Sequence, residues 1–130
     1  MKILIDGSNV LYWRGGIADR QAPGIIARAL IARRFAPFVY LDHSIHRHTQ
    51  TEDLAELARS TEVIIAPSGT PADVLLLDAC ASGRYQIVSA DRFEVWRSEY
   101  PRMRRDWLVT GRIGKGGHVS FSKKLRSAPL

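Results

Sequence analysis

Short aliphatic runs that end in turn residues alternate along this chain with stretches whose apolar positions recur at helical spacing. Residues 2–5 read as a buried strand that delivers Asp6 to its carboxyl end, and Gly7 permits a sharp turn there. Ser8 and Asn9 favour N-cap positions, so a helix through Val10, Leu11 and Tyr12 is predicted to begin beside Asp6. Gly15 and Gly16 break the chain, and Pro23 opens a second helix whose Ile25, Ile26, Ala29 and Leu30 share one face up to about Phe35. A second strand is predicted over 38–42, a helix from Thr51 with Glu52 and Asp53 in its first turn, and a third strand over 62–66. Thr70 as N-cap, Pro71 and Asp73 start a helix that is apolar almost all round from 74 to 81 and is ended by Gly83. The fourth strand, 85–91, again ends in an acid, Asp91, with a helix predicted over 92–100. A fifth strand is predicted at 107–110, and 118–121 alternates like an edge strand.

Strands that alternate with helices predict an α/β fold with a doubly wound, mostly parallel five-stranded sheet, and right-handed crossovers favour the order 3-2-1-4-5. The switch point of that order lies between strands 1 and 4. Asp6 and Asp91 then stand side by side outside the carboxyl ends, and Asp73, at the start of the helix entering strand 4, projects from the same edge.

With 130 residues the chain is read as one domain over 1–122, followed by a basic tail over 123–130 that is expected to fray. No run approaches the roughly 20 apolar residues of a membrane span, and Lys2 and Asp6 oppose a signal-peptide core, so a cytoplasmic protein without membrane contact is expected. Cys80, the sole cysteine, excludes an intrachain disulfide and a cysteine-based zinc site, and its apolar neighbours predict burial. The net charge of +6 is uneven. Residues 1–83 carry 8 Lys plus Arg against 9 Asp plus Glu, whereas residues 84–130 carry 11 against 4. That asymmetry points to a polyanionic partner, nucleic acid in particular. Arg92, Arg102, Arg104, Arg105, Arg112 and Lys115 are the candidate phosphate contacts, because they follow strand 4 and flank a glycine-rich segment near the sheet's carboxyl edge.

Oxygen-rich sites of this kind suit Mg²⁺ or Mn²⁺, which bind a few carboxylates and otherwise water or substrate phosphate. One ion served by Asp6, Asp73 and Asp91 requires their carboxylates to converge to within roughly 4–7 Å, given Mg–O bonds of about 2.1 Å. Each Asp alone serves equally well as a cap of its following helix. His43, His46 and His48 share a polar loop, but without a cysteine or a fourth ligand they match zinc geometry poorly. Contact with RNA phosphates or bases, or plain exposure, fits that loop better.

Ile-Asp-Gly-Ser-Asn-Val at 5–10, Ala-Asp at 72–73 and Val-Ser-Ala-Asp-Arg-Phe at 88–93 resemble the NYN branch of the PIN-like ribonucleases, most closely the catalytic domain of the regnase family of CCCH-zinc-finger endoribonucleases. The separation of 18 residues between Asp73 and Asp91 also resembles PIN domains generally. The resemblance covers about 2–100. It implies a three-layer PIN-like fold and an endoribonuclease that cleaves phosphodiesters of RNA, single-stranded by expectation, with metal-activated water. It places Asp6, Asp73 and Asp91 on the metal, with Ser89, Asn9 and Ser8 beside them. The regnase pattern has two adjacent acids where this chain has Ala72-Asp73. Glu94, one turn past Asp91, is the preferred outer metal ligand; Asp42 is a further candidate, and Asp78 lies about 140° round the helix from Asp73. No CCCH finger is seen.

Phosphatases of the haloacid dehalogenase type need a second Asp where Ser8 stands, and response-regulator receivers need an Asp where Ala66-Pro67 stands. The alternative from another class is a non-catalytic RNA-binding or protein-docking module. Oligomeric state is left open, with a homodimer among the possibilities.

Overall fold

The computed structural model describes residues 1–83 and 85–125. Its centre is a five-stranded sheet of β1 (Lys2–Asp6), β2 (Ala36–Leu41), β3 (Glu62–Ile65), β4 (Ile87–Val88) and β5 (Leu108–Val109). The order is β3-β2-β1-β4-β5, and every pairing in it is parallel. Helices α1 (Gly7–Val10), α2 (Ala22–Ala32), α3 (Thr51–Ala58) and α4 (Ala72–Gly83) connect the strands. No helix among the described residues is long and apolar enough to cross a membrane.

Alternation along β1 and β2 divides the core into two layers, because successive side chains point to opposite faces of a sheet. Ile3, Ile5, Val39 and Leu41 pack with Ile26 and Leu30 of α2. Leu4, Tyr40 and Ile87 pack on the other face with Leu76, Leu77 and Cys80 of α4 and with Phe93, Met103 and Trp107 of the crossover to β5. Both layers are needed because a parallel sheet is covered on its two faces.

Several elements depart from the sequence expectation. The glycine-rich stretch holds a strand, β6 (Gly111–Ile113), which pairs antiparallel with β7 (Val119–Phe121) in a separate two-stranded sheet. Ile113 and Val119 of this hairpin join the α2 layer of the core. The helix expected over 92–100 is a single 3₁₀ turn, Glu94–Trp96. Asp91 Oδ1 accepts the Phe93 N–H at 2.8 Å, and Phe93 takes a left-handed φ of 54° while wholly buried. That turn consumes the residues with which a helix would have begun. The histidine loop is likewise partly a 3₁₀ helix, His43–Arg47. Within the expected tail, Leu125 packs against the α2 layer and the Lys124 carbonyl accepts Gln86 Nε2 at 3.4 Å. The remainder of the expected tail, 126–130, lies outside the described residues.

Candidate active site

The strand order brings Asp6, at the end of β1, beside the turn that follows β4. Asp6 is 3% exposed and itself caps α1, since its Oδ1 accepts the Asn9 N–H at 3.3 Å. Ser8 and Asn9, expected as caps, do other work. Ser8 Oγ accepts the Asp42 N–H at 2.8 Å and ties α1 to the end of β2. Asn9 Oδ1 accepts both the Trp13 indole N–H and the Ala90 N–H, each at 2.8 Å, and so joins α1 to the loop after β4. Gly7 is required for space rather than for turning: a Cβ there would stand 2.4 Å from Leu41 Cδ2 and 2.8 Å from the Tyr40 carbonyl.

Ser89 is buried under this turn, where its hydroxyl donates to Asp6 Oδ2 at 2.8 Å and its oxygen accepts the Asp91 N–H at 3.0 Å. It is a positioning residue that orients one acid and fixes the backbone of the next. Asp73 lies in the first turn of α4. That helix is capped at long range, since Ala72 N–H donates to Asp42 Oδ1 at 2.7 Å, in place of the local Thr70 cap expected from sequence. Trp96 holds Asp73 by donating its indole N–H to Oδ2 at 3.1 Å. Sequence reasoning passed over Trp13 and Trp96; the signal available was that a half-buried indole N–H usually finds an acceptor.

Asp6, Asp73 and Asp91 each present a ligand oxygen, and these lie within 4.8 Å of one another. Burial pushes the Asp6 carboxyl up to about 7; the Ser89 and Asn9 hydrogen bonds oppose this, and the nearby Asp73 and Asp91 charges add to it. Asp73 is raised as well, first by burial, against the Trp96 hydrogen bond, and then by Asp91 and Asp42. Among the described residues no Lys or Arg forms an ion pair with any of the three. Converging carboxylates that lack a counter-charge, one buried, one half-buried and one open to solvent, are the donor set a hard divalent cation takes, so these residues fit such an ion.

Glu94 is exposed and outside this convergent group. Asp42 is the outlying acid whose charge reaches Asp73. Asp78 accepts the Tyr100 hydroxyl at 2.6 Å, away from the cluster. Of the basic candidates, Arg92 directly follows Asp91 and is exposed at the carboxyl edge. Arg102, Arg104 and Arg105 are not at that edge. They precede β5, which runs parallel to β4, so the crossover has already carried them back toward the amino ends. Arg104 is paired with Asp106 at 3.0 Å. Arg112 lies on β6 and Lys115 at the hairpin tip, both exposed on the α2 side.

Two solved structures of nuclear protein-only RNase P 2 (PRORP2) from A. thaliana share this fold. One superposes with a TM-score of 0.68 at 15% identity over 97% of this chain, and the other with 0.70 at 15% over 96%. This chain spans 30% of the length of either. No curated protein matches it. A family model, described as the Zc3h12a-like ribonuclease NYN domain, matches residues 1–111, which include all three converging acids and the turns that hold them. The chain belongs to the Zc3h12a-like ribonuclease NYN domain family.

Proposed function

We propose that this chain is a Mg²⁺- or Mn²⁺-dependent endoribonuclease acting on single-stranded RNA. The observation that carries the reading is the convergence of Asp6, Asp73 and Asp91 within 4.8 Å at the sheet's switch point, with no cationic partner among the described residues. These three would hold the ion, with Asp42 rather than Glu94 as the outer acid because Asp42 acts on Asp73. A divalent ion bound there supplies Lewis-acid charge for the phosphodiester and lowers the pKa of water. Ser89 and Asn9 position Asp6 and the β4 turn, and Trp96 keeps Asp73 directed into the cluster. Ser8, whose hydroxyl hydrogen remains to donate, and Arg92, exposed directly after Asp91, would contact the phosphate backbone beside the acids. Arg112 and Lys115, exposed on the β6–β7 hairpin, would be further phosphate contacts, whereas Arg102, Arg104 and Arg105 precede β5 on the opposite side of the sheet. In-line attack by water with departure of the 3′ oxygen leaves 5′-phosphate and 3′-hydroxyl ends. We place the protein in the cytoplasm, where the buried thiol of Cys80 stays reduced.

Ala72 favours a second reading. It is buried where the regnase pattern has an acid, which leaves a set of three and suits a non-catalytic RNA-binding module. Incubation of labelled single-stranded RNA with Mg²⁺, Mn²⁺ or chelator separates the two. Metal-dependent cleavage to 5′-phosphate ends supports the enzyme. Binding without cleavage supports the module, and chelator-resistant cleavage to 2′,3′-cyclic phosphates would move the chemistry to the histidines.

A further inference from the structure

The histidine loop divides into two parts that face different surroundings. His48 turns toward Tyr12, with ring centroids 6.3 Å apart. His43 and His46 instead pack edge to face at 5.1 Å with an interplanar angle of 72°, and both line a cleft of about 520 Å³. The loop from β3 to α4 contributes Ser68 and Thr70 to its lining, and Arg47 lines it as well. Asp42 forms the common wall between this cleft and the acid cluster: it lines the cleft, caps Ala72 next to Asp73, and acts on the Asp73 carboxyl.

We propose that this cleft is the subsite for the nucleotide adjoining the scissile phosphate, an inference that rests on the ribonuclease reading above. Its volume falls in the range of small-ligand pockets, about 300–1,000 Å³. Its chemistry is that of single-stranded RNA recognition, in which unstacked bases lie on aromatic rings, histidine included, and on guanidinium planes. The edge-to-face pair holds one imidazole against the other, so a base meets a platform already set. Arg47 has no carboxylate partner among the described residues and is available to a phosphate. Asp42 is the single acid of the lining, and its Oδ1 is already occupied by the Ala72 N–H. A strand that passes Asp6 and Asp73 therefore continues into a cleft of rings, hydroxyls and one free cation, with its bases away from the acids.

The test uses the whole chain and a fluorescently labelled single-stranded RNA oligonucleotide, with binding measured by anisotropy in chelator and cleavage measured separately in Mn²⁺. The double variant His43→Ala/His46→Ala should bind about tenfold more weakly, the scale of one lost stacking partner, with KM raised and kcat little changed. The double variant His43→Phe/His46→Phe, which keeps the rings, should restore binding, so a folding defect in the alanine protein does not decide the matter. Arg47→Ala should weaken binding and flatten its salt dependence by the slope of about 0.7 that one phosphate contact contributes. Wild-type affinity in the alanine variant overturns the subsite, as does failure of the phenylalanine variant to restore binding. Histidine-dependent binding without cleavage rejects the enzyme and keeps the cleft; cleavage with unchanged KM in the alanine variant rejects the cleft and keeps the enzyme.

Discussion

Asp6→Asn should make the metal-free protein more stable at neutral pH while removing its response to metal. The carboxyl of Asp6 is raised from 3.8 to about 7, chiefly by burial. A folded-state pKa above the unfolded value means that the contribution to stability is full below about pH 4 and is lost as pH climbs through 7. At ~1.36 kcal/mol per pH unit, the shift corresponds to roughly 4 kcal/mol lost by pH 8. Asparagine is neutral at every pH and nearly the same shape. Its amide oxygen can keep the Asn9 N–H, and its NH₂ can donate to Ser89 Oγ, with the hydroxyl hydrogen turned away. Imperfect bonds of this kind cost about 1–2 kcal/mol, which leaves a net gain near 2 kcal/mol. For a domain of this size that is roughly 5–10 °C in melting temperature. The assay is thermal or urea unfolding of both proteins from pH 4 to 8 in chelator, repeated in Mn²⁺. Toward pH 4 the wild type recovers its protonated Asp6, so the gap should close and then reverse, leaving the variant less stable by about 1 kcal/mol. In Mn²⁺ the wild type should gain by mass action, about 2.7 kcal/mol at a hundred times Kd, and the variant should not. A variant less stable than the wild type at pH 8 in chelator, or a gap independent of pH, would refute the reasoning.

Asp91→Asn should lower cleavage at least ~10³-fold, the scale on which lost transition-state electrostatics are felt; melting should move only a few degrees, because an amide oxygen can still accept the Phe93 N–H. Trp96→Phe removes the donor on Asp73 and should weaken Mn²⁺ binding several-fold by calorimetry; unchanged affinity would mean that the indole only fills space. Asn9→Ala leaves the Trp13 and Ala90 N–H groups without their shared acceptor and should cost roughly 1–2 kcal/mol in urea unfolding. The same variant should bind Mn²⁺ less tightly, and wild-type affinity would show that the tie does not position the acids.

The strand order and the meeting of three acids were legible because each depends on short-range signals: aliphatic runs that stop at Asp6 and Asp91, and a helix that starts near Asp73. What was not legible depends on where the chain goes between those signals. Arg102, Arg104 and Arg105 follow β4 in sequence, yet a parallel crossover returns the chain to the opposite edge before β5 begins. The helix expected after Asp91 failed because the Asp91 side chain and the left-handed Phe93 impose a turn that apolar spacing does not encode. The cap of α4 came from Asp42, 30 residues earlier, and no local pattern reports a cap at that range. Gly7 was assigned to the right place for the wrong reason, since the constraint is its contact with β2.

The ties around the acids also bear on when the site comes into being. Ser89 reaches Asp6 across 83 positions, Ala90 reaches Asn9 across 81, and Asp42 reaches Ser8 across 34. Contacts of such sequence separation form late, because loop closure must precede them. A nascent chain that has released β1 to β3 but not β4 has Asp6 without Ser89 and without Asp91. The acid set is thus completed only with the sheet, and the ordering acts as an interlock: a fragment that stops short of β4 holds Asp6 and Asp73 but not the assembled triad.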